Sequence, residues 1–208
     1  MKKIMFNDKY GLTQAVLEGR KTMTRRIIRL VEPDLEFVHV SHLGEYIFHS
    51  KDCIDGAFPR YKIGEEVAVA QAYSDIPFEH RNWKKRGINL NLQKDGTLKG
   101  LVELKGWDNK MFVRADAMPH HIRITDIKVE RLKDISSEDC LKEGVSFINE
   151  SWCKGYEVND LWLSVIGKRE SFWNTPQEAF AALIDKVSGK GTWKRNPWVF
   201  AYEFKLVK

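Results

Sequence analysis

The alternation of apolar and polar positions divides the chain into short helices and strands. Near the N-terminus, apolar residues recur at helical spacing: Leu12, Ala15, Val16 and Leu17. Gly19 follows them, and glycine commonly ends a helix in the left-handed conformation. Polar and cationic residues come after Gly19, so the pattern predicts a helix-to-strand junction with Lys21 and Thr24 close to it.

Strand patterns account for most of the remaining regular structure. Residues 35–50 predict two short strands, and a turn at Gly64-Glu65 predicts the start of a buried strand. Residues 121–132 alternate between apolar and polar, but the phase slips at Thr125-Asp126, which predicts a β-bulge. Large apolar side chains at every second position of residues 198–206 predict a strand in the centre of the sheet.

Two further helices carry start signals. Ser136 and Asp139 have the spacing of a capping box, and Gly144 is a suitable stop. The sequence Thr-Pro-Gln-Glu at residues 175–178 combines an N-cap threonine, a proline at the first helical position and a glutamate at the third. The apolar face predicted for this helix consists of Phe180, Leu183, Ile184 and Val187.

The order of these elements predicts the fold class. Strands dominate and short helices lie at the connections, which is typical of an α+β domain around a curled sheet or small barrel. We expect a single domain over residues 1–208. Residues 75–110 are polar, rich in glycine and partly basic, so we interpret them as an excursion from the core, a long loop or lid.

Composition narrows the class of protein. The chain has 208 residues, of which 43% are hydrophobic, and a formal net charge of +5, which permits a nucleic-acid or nucleotide partner without requiring one. No apolar run approaches the roughly 18 residues of a spanning helix, and no signal-peptide pattern is present. The three cysteines form no CxxC pair. We therefore expect a cytoplasmic protein without membrane contact, disulfide framework or zinc ribbon.

Other residues with metal-binding or nucleophilic chemistry give weaker signals. His39 and His49 could face each other across the predicted hairpin, but the histidines have no convincing ligand spacing, so no metal and no cofactor is predicted. Cys140, beside Leu141 in a predicted helix, is interpreted as a buried packing residue rather than a nucleophile.

The densest positive charge follows the first helix. Five cations lie between Arg20 and Arg29, and they predict either a solvated surface or a site for phosphate or another anion. On the second interpretation, Arg20, Arg25 and Arg26 contribute to nucleic-acid binding. These cations would also lower the pKa of Lys21, which could then remove the proton of the Thr24 hydroxyl and activate it as a nucleophile. The alternative is that Lys21 pairs with a carboxylate and Thr24 simply occupies a strand position.

Two basic segments interleave tryptophan with cations. Trp83 lies beside Lys84 and near Arg86, and Trp193 lies between Lys190 and Arg195. Such interleaving predicts base stacking with backbone contacts to single-stranded RNA or a nucleotide. Packing of each tryptophan under a loop is the alternative.

The chain resembles the ASCH superfamily, whose members are PUA-like β-barrel domains associated with RNA. The segment from Gly19 to Arg26 matches the G-x-K-x-x-T-x-R signature of the family. Supporting blocks lie at residues 61–65, 123–127, 132–136, 142–144 and 196–199. With insertions at 75–110 and 146–172, the chain is similar to the larger members, which look like phage or prophage proteins.

The resemblance implies a fold, a site and a function. The fold is a small curled β-barrel with short helices at its ends and a cleft beside the signature. In a small bacterial branch, members are amidohydrolases that act on N4-acylated cytidines through Lys, Thr and Glu. Lys21 and Thr24 match the first two, and Glu143 matches the glutamate of the helix after the long strand. Glu143 could then either orient Lys21 or protonate a leaving amine. A non-catalytic RNA- or nucleotide-binding module, or a phage-associated interaction protein, is the alternative.

One segment departs from the family pattern. Many larger relatives carry Arg-Glu-x-Trp or a close variant after the first core strand, where this chain has Ala70-Gln71-Ala72-Tyr73. Gln71 therefore replaces a carboxylate. Any chemistry or metal binding that depends on that carboxylate in relatives is not expected here.

Overall fold

The computed structural model of the chain describes residues 1–76, 105–150, 153–158 and 173–207. Over these ranges the protein is a mixed α+β structure, as predicted, with more strand than helix. The strands are β1 (Lys2–Ile4), β2 (Met23–Ile27), β3 (Glu36–Val40), β4 (Tyr46–His49), β5 (Ile54–Ala57), β6 (Glu66–Val69), β7 (His121–Arg131), β8 (Val145–Glu150), β9 (Cys153–Val158) and β10 (Trp198–Leu206). The α-helices are α1 (Leu12–Leu17), α2 (Ser137–Lys142), α3 (Pro176–Ser188) and α4 (Thr192–Arg195).

The main sheet has five strands in the order β1-β6-β7-β10-β2. β1 runs parallel to β6, and the other neighbours are antiparallel. β10 lies in the interior of this sheet, which confirms the prediction from its apolar pattern. Glu203 pairs with Asp126 and Phe204 with Ile124, so Thr125 is the extra residue of a β-bulge, which confirms the phase slip. Among the described residues no ladder joins the edge strands β1 and β2 to close a barrel.

Two smaller sheets accompany the main one. The predicted hairpin at residues 35–50 is confirmed as β3 and β4, and β5 extends it to three strands. His39 pairs with Ile47 and His49 pairs with Glu36, so the two histidines are not opposite each other. β8 and β9 form an antiparallel pair within the segment interpreted as the second insertion.

The helix ends follow the predicted capping chemistry. Gly19 has φ of 73°, and its amide donates to the Val16 carbonyl just beyond α1. The Ser136 hydroxyl accepts from the Asp139 amide at the start of α2. α3 begins with a complete capping box between Thr175 and Glu178.

α3 packs its apolar face against the main core, with one correction to the prediction. Phe180, Leu183 and Ile184 are buried, whereas Val187 is 39% exposed. Val187 is in the last turn of the helix, where the core no longer covers it. The described helices include none that is long and apolar enough to cross a membrane.

Candidate ligand-binding cavity

Local backbone contacts bring the cationic segment between two helices. The Lys21 amide donates to the Ala15 carbonyl of α1 at 2.9 Å, and the Thr22 amide donates to the Lys142 carbonyl of α2 at 2.9 Å. β2 then begins at Met23 and forms an edge of the main sheet. The predicted helix-to-strand junction is thus confirmed, and it lies against the C-terminus of α2.

Lys21 is buried in this junction and bound to Glu143. The Lys21 residue is 2% exposed, and its Nζ donates to Glu143 Oε2 at 2.5 Å and to the Glu143 carbonyl oxygen at 2.7 Å. Glu143 caps the C-terminus of α2, where carbonyl groups point out of the helix and favour a cation. The Phe6 ring lies 5.8 Å from Nζ. Lys21 and Glu143, which the family resemblance assigns to one site, are therefore in direct contact.

The environment of Lys21 shifts its proton equilibrium. Burial lowers the pKa of Lys21 below its ordinary value of 10.5, and the charges of Arg26 and Arg25 lower it further. Glu143 opposes this shift because its carboxylate favours the ammonium form. The net direction is downward, and it agrees with the direction predicted from the neighbouring cations, although burial is the larger cause.

Arg25, predicted to contact nucleic acid, is instead an interior residue. Its side chain is 1% exposed and pairs with carboxylates: Glu130 at 2.6 Å, Asp139 at 3.0 Å and Glu143 at 3.2 Å. Burial alone would lower the pKa of Arg25, but the charges of Glu143 and Glu130 outweigh it and raise the pKa. The guanidinium therefore joins β2 to β7 and α2, and it holds Glu143 from the side opposite Lys21.

A cavity of about 890 Å³ opens beside this cluster. Lys21, Thr24 and Glu143, the residues matched to the family's catalytic set, all line it. Aromatic rings contribute much of the remaining wall: Phe6, Phe58, Tyr61, Phe180, Phe200 and Tyr202. The volume suits a small-molecule ligand such as a nucleoside or nucleotide.

Thr24 lines the cavity from β2. The residue is 5% exposed and pairs with Tyr202 across β2 and β10. Within residues 1–76, 105–150, 153–158 and 173–207, the Thr24 hydroxyl forms no hydrogen bond. Because side chains alternate along a strand, Arg26 lies on the same face of β2 as Thr24, about 7 Å further along. Phe200, which pairs with Arg26, completes this face.

The charges that line the cavity are strongly unbalanced. Glu143 is the single carboxylate among the described lining residues, against six cations: Lys3, Lys21, Arg25, Arg26, Arg29 and Arg60. Carboxylates neutralise Lys21 and Arg25, as described above. The other four have no carboxylate within 4.0 Å in the described part of the chain. The cavity consequently has a positive potential that favours an anionic ligand.

The remaining residues predicted to bind nucleic acid lie elsewhere. Arg20 is exposed, pairs with Glu18 at 2.5 Å, and does not line the cavity. Trp193 belongs to α4, where it is partly buried and meets the Phe180 ring edge-on at 6.2 Å. It is therefore a packing residue and does not lie in an exposed loop, as the prediction of base stacking assumed. Trp83, Lys84 and Arg86 lie outside the described residues.

Sequence reasoning identified Glu143 but missed three residues that support this site, Asp139, Glu130 and Arg60. Asp139 and Glu143 are four positions apart, a spacing that puts both carboxylates on one face of α2, and this signal could have indicated a cation partner. Glu130 and Arg60 carry no local signal, because strand pairing and a loop after β5 bring them to the cluster and the cavity respectively.

Other chemical candidates from the sequence do not join the site. Burial raises the pKa of the Cys140 thiol to about 12, so this thiol stays protonated, as expected for a packing residue. Gln71 is buried with no partner for its Oε1 in the described residues, and it does not line the cavity. The described residues contain no group of histidine, cysteine and acidic side chains arranged to hold a metal ion.

Comparison with known proteins adds no further identification. No protein-family model, no curated protein and no solved structure matches this chain. The ASCH resemblance therefore stays a prediction from the sequence.

Proposed function

We propose that this protein is an amidohydrolase that removes an N-acyl group from a cytidine-type base bound in the cavity. One observation carries the proposal: a buried lysine, held by a carboxylate, lines the same cavity as a threonine hydroxyl that has no partner among the described residues. A lysine with a lowered pKa and a threonine hydroxyl that line one cavity are suited to nucleophilic catalysis.

The proposed chemistry uses Thr24 as nucleophile and Lys21 as base. Neutral Lys21 Nζ takes the proton of Thr24 Oγ1 as this oxygen attacks the amide carbon. The bond between that carbon and the base N4 then breaks, and the new ammonium of Lys21 returns the proton to N4. Water, deprotonated by Lys21, hydrolyses the acyl-threonine and releases the carboxylic acid. The lining cations that have no carboxylate within 4.0 Å in the described residues, Lys3, Arg26, Arg29 and Arg60, favour the negative charge that develops on the amide oxygen.

Glu143 has a positioning role in this scheme. Its Oε2 accepts from Lys21 and its Oε1 accepts from Arg25, so both oxygens are occupied. A carboxylate held in this way orients the lysine and is poorly placed to protonate a leaving amine. Of the two roles that sequence reasoning left open for Glu143, we adopt the orientation of Lys21.

The PUA-like barrel and membership of the ASCH superfamily belong to the same proposal. Their support is the position of the signature: Lys21, Thr24 and Arg26 all reach one cavity. A non-catalytic RNA- or nucleotide-binding module is the second candidate. The observation that favours it is the set of lining cations without carboxylates, together with Phe58, which is 60% exposed and available for stacking.

Hydrolysis of N4-acetylcytidine tests the proposal. We expect turnover by the wild type and by Arg123→Gln, a matched control whose exposed side chain pairs with Glu66 on β6, away from the cavity. Thr24→Val, which keeps the shape and removes the hydroxyl, and Lys21→Met reduce hydrolysis to the uncatalysed rate. Folded wild type without turnover on a panel of N-acylated nucleosides and nucleotides overturns the enzymatic proposal.

A further inference from the structure

Three of the four lining cations that have no carboxylate within 4.0 Å in the described part of the chain are arginines. Arg26 lies on β2, Arg29 follows two residues after this strand, and Arg60 lies between β5 and β6. All three line the cavity. We call Arg26, Arg29 and Arg60 the arginine cluster.

The backbone of Arg60 is fixed at both ends. Its amide donates to Tyr202 Oη at 2.9 Å, and its carbonyl accepts from Lys2 Nζ at 2.6 Å. The Tyr202 ring in turn meets the Tyr61 ring edge-on at 5.3 Å. Arg60 is therefore attached to Tyr202 of β10, and Tyr202 is the residue that pairs with Thr24 of β2. Its guanidinium lies 5.8 Å from the Tyr61 ring and forms no ion pair with the described residues.

Arg26 is held in a similar way. It donates from Nη2 to the Met5 carbonyl at 2.8 Å, and its guanidinium lies 5.8 Å from the Phe6 ring. One contact to a carbonyl leaves most of its five N–H donors available. Lys3, which donates to the carbonyls of Met111 and Val113, adds positive charge to the same wall.

We propose that the arginine cluster binds a phosphate of the substrate, so that the enzyme acts on a phosphorylated nucleoside rather than on a free nucleoside. This inference rests on the proposed function, since it names the substrate class of the same cavity. Guanidinium groups bind phosphate oxygens through charge-assisted and often bidentate hydrogen bonds. The arrangement separates two tasks along β2: Thr24 faces the acylated base, and Arg26 on the same face turns toward the phosphate.

The phosphate can come from a mononucleotide or from an RNA strand, and the chemistry of recognition is the same. A terminal monoester has a larger negative charge, whereas a phosphodiester brings neighbouring nucleotides that can stack on Phe58. A comparison of cytidine 5′-monophosphate with a short cytidine-containing RNA distinguishes these sources.

Binding, measured by calorimetry on the full chain, tests the inference without relying on catalysis. We expect cytidine 5′-monophosphate or the RNA to bind more tightly than cytidine by between about tenfold and a hundredfold, the range for hydrogen bonds to a charged group. Added salt reduces this preference. Arg60→Gln and Arg29→Gln abolish most of it, and Arg123→Gln, which removes the same charge away from the cavity, leaves it unchanged.

Kinetics separate a failure of this inference from a failure of the proposed function. If N4-acetylcytidine and its 5′-monophosphate are hydrolysed with equal kcat/KM and bind equally, the phosphate inference is overturned and the enzymatic function stands. If neither is hydrolysed but the phosphate preference in binding depends on Arg60, the enzymatic function is overturned and the phosphate site stands. Equal binding of cytidine and both phosphorylated ligands overturns the inference whatever the kinetics.

Discussion

Lys21 and Glu143 lie 122 positions apart in the chain, yet one ammonium group donates to both the side chain and the backbone carbonyl of the glutamate. The first contact joins two charges and the second satisfies the C-terminus of α2. Because both residues are buried, this pair joins β2 to α2 and also sets the proton equilibrium of the proposed base.

Removal of Lys21 should destabilise the fold more than removal of Glu143. Lys21→Met removes the cation bound to the buried Glu143 carboxylate and leaves Arg25 to neutralise both Glu143 and Glu130, so we expect a loss of about 3–5 kcal/mol in the free energy of unfolding. Glu143→Gln costs less because Lys21 can release its proton. The double variant Lys21→Met/Glu143→Gln should be more stable than the sum of the single effects predicts. Urea unfolding of all four proteins measures this coupling, and strict additivity contradicts it.

The pH dependence of hydrolysis should report the proton of Lys21. Since burial lowers the pKa of Lys21, the rate should rise with pH along a limb centred below the ordinary value of 10.5. Glu143 raises the pKa, so Glu143→Gln moves this limb to lower pH. Arg26 lowers the pKa, so Arg26→Gln moves the limb to higher pH.

Profiles of log kcat/KM against pH for the three proteins measure these shifts. Opposite displacements of the two variants support Lys21 as the base. If both variants move the limb in the same direction, or neither moves it, another group controls the rate. Arg123→Gln serves again as the control for a change in net charge.

Arg25 and Arg26 are adjacent in sequence but should respond differently to substitution. Arg25→Gln removes a cation that Glu130, Asp139 and Glu143 share. Because these carboxylates are buried or partly buried, we expect the substitution to lower the free energy of unfolding by several kcal/mol. Arg26→Gln should change stability little, because Arg26 is only half-buried and has one contact to a carbonyl. Its effect should fall on the binding of cytidine 5′-monophosphate. Equal losses of stability in the two variants contradict this distinction.

The contrast between these two arginines explains how far the sequence predicts the site. The signature located Lys21 at the helix-to-strand junction and Thr24 on the strand that follows, since glycine and local alternation determine that junction. Which of two adjacent arginines points to the interior depends on Glu130 and Asp139, and these meet Arg25 through contacts more than 100 positions distant. Local patterns do not contain that information.

The elements of the fold likewise fall into those that local sequence predicts and those that depend on distant residues. Capping residues and alternation predicted α2, α3, the hairpin, the bulge and the interior position of β10, because each depends on neighbouring residues. The sequence pattern did not predict β1, because this strand has only three residues and pairs in parallel with the distant β6. It did not predict β5 because Ile54-Asp55-Gly56-Ala57 has little alternation, and its strand conformation depends on pairing with β4.

Gly144 connects the backbone at the end of α2 with the packing around Lys21. Its φ is 101°, a backbone conformation that residues other than glycine rarely adopt. A Cβ at this position would lie 3.4 Å from Leu12 Cδ2 and 3.8 Å from Lys21 Cδ. These are ordinary van der Waals distances, so we expect Gly144→Ala to lower the free energy of unfolding by about 1–3 kcal/mol through backbone strain alone.

The matched control for Gly144 is Gly64→Ala. Gly64 has φ of 81°, so alanine is strained there too, but a Cβ would meet nothing within 4 Å. Because neither Cβ clashes, the two variants should lose similar amounts of stability in urea unfolding. Gly144 follows Glu143, whose side chain and carbonyl hold Lys21, so strain at Gly144 should also reduce kcat on N4-acetylcytidine, whereas Gly64→Ala should leave kcat unchanged. Equal effects of the two variants on kcat contradict a role for Gly144 in positioning Lys21.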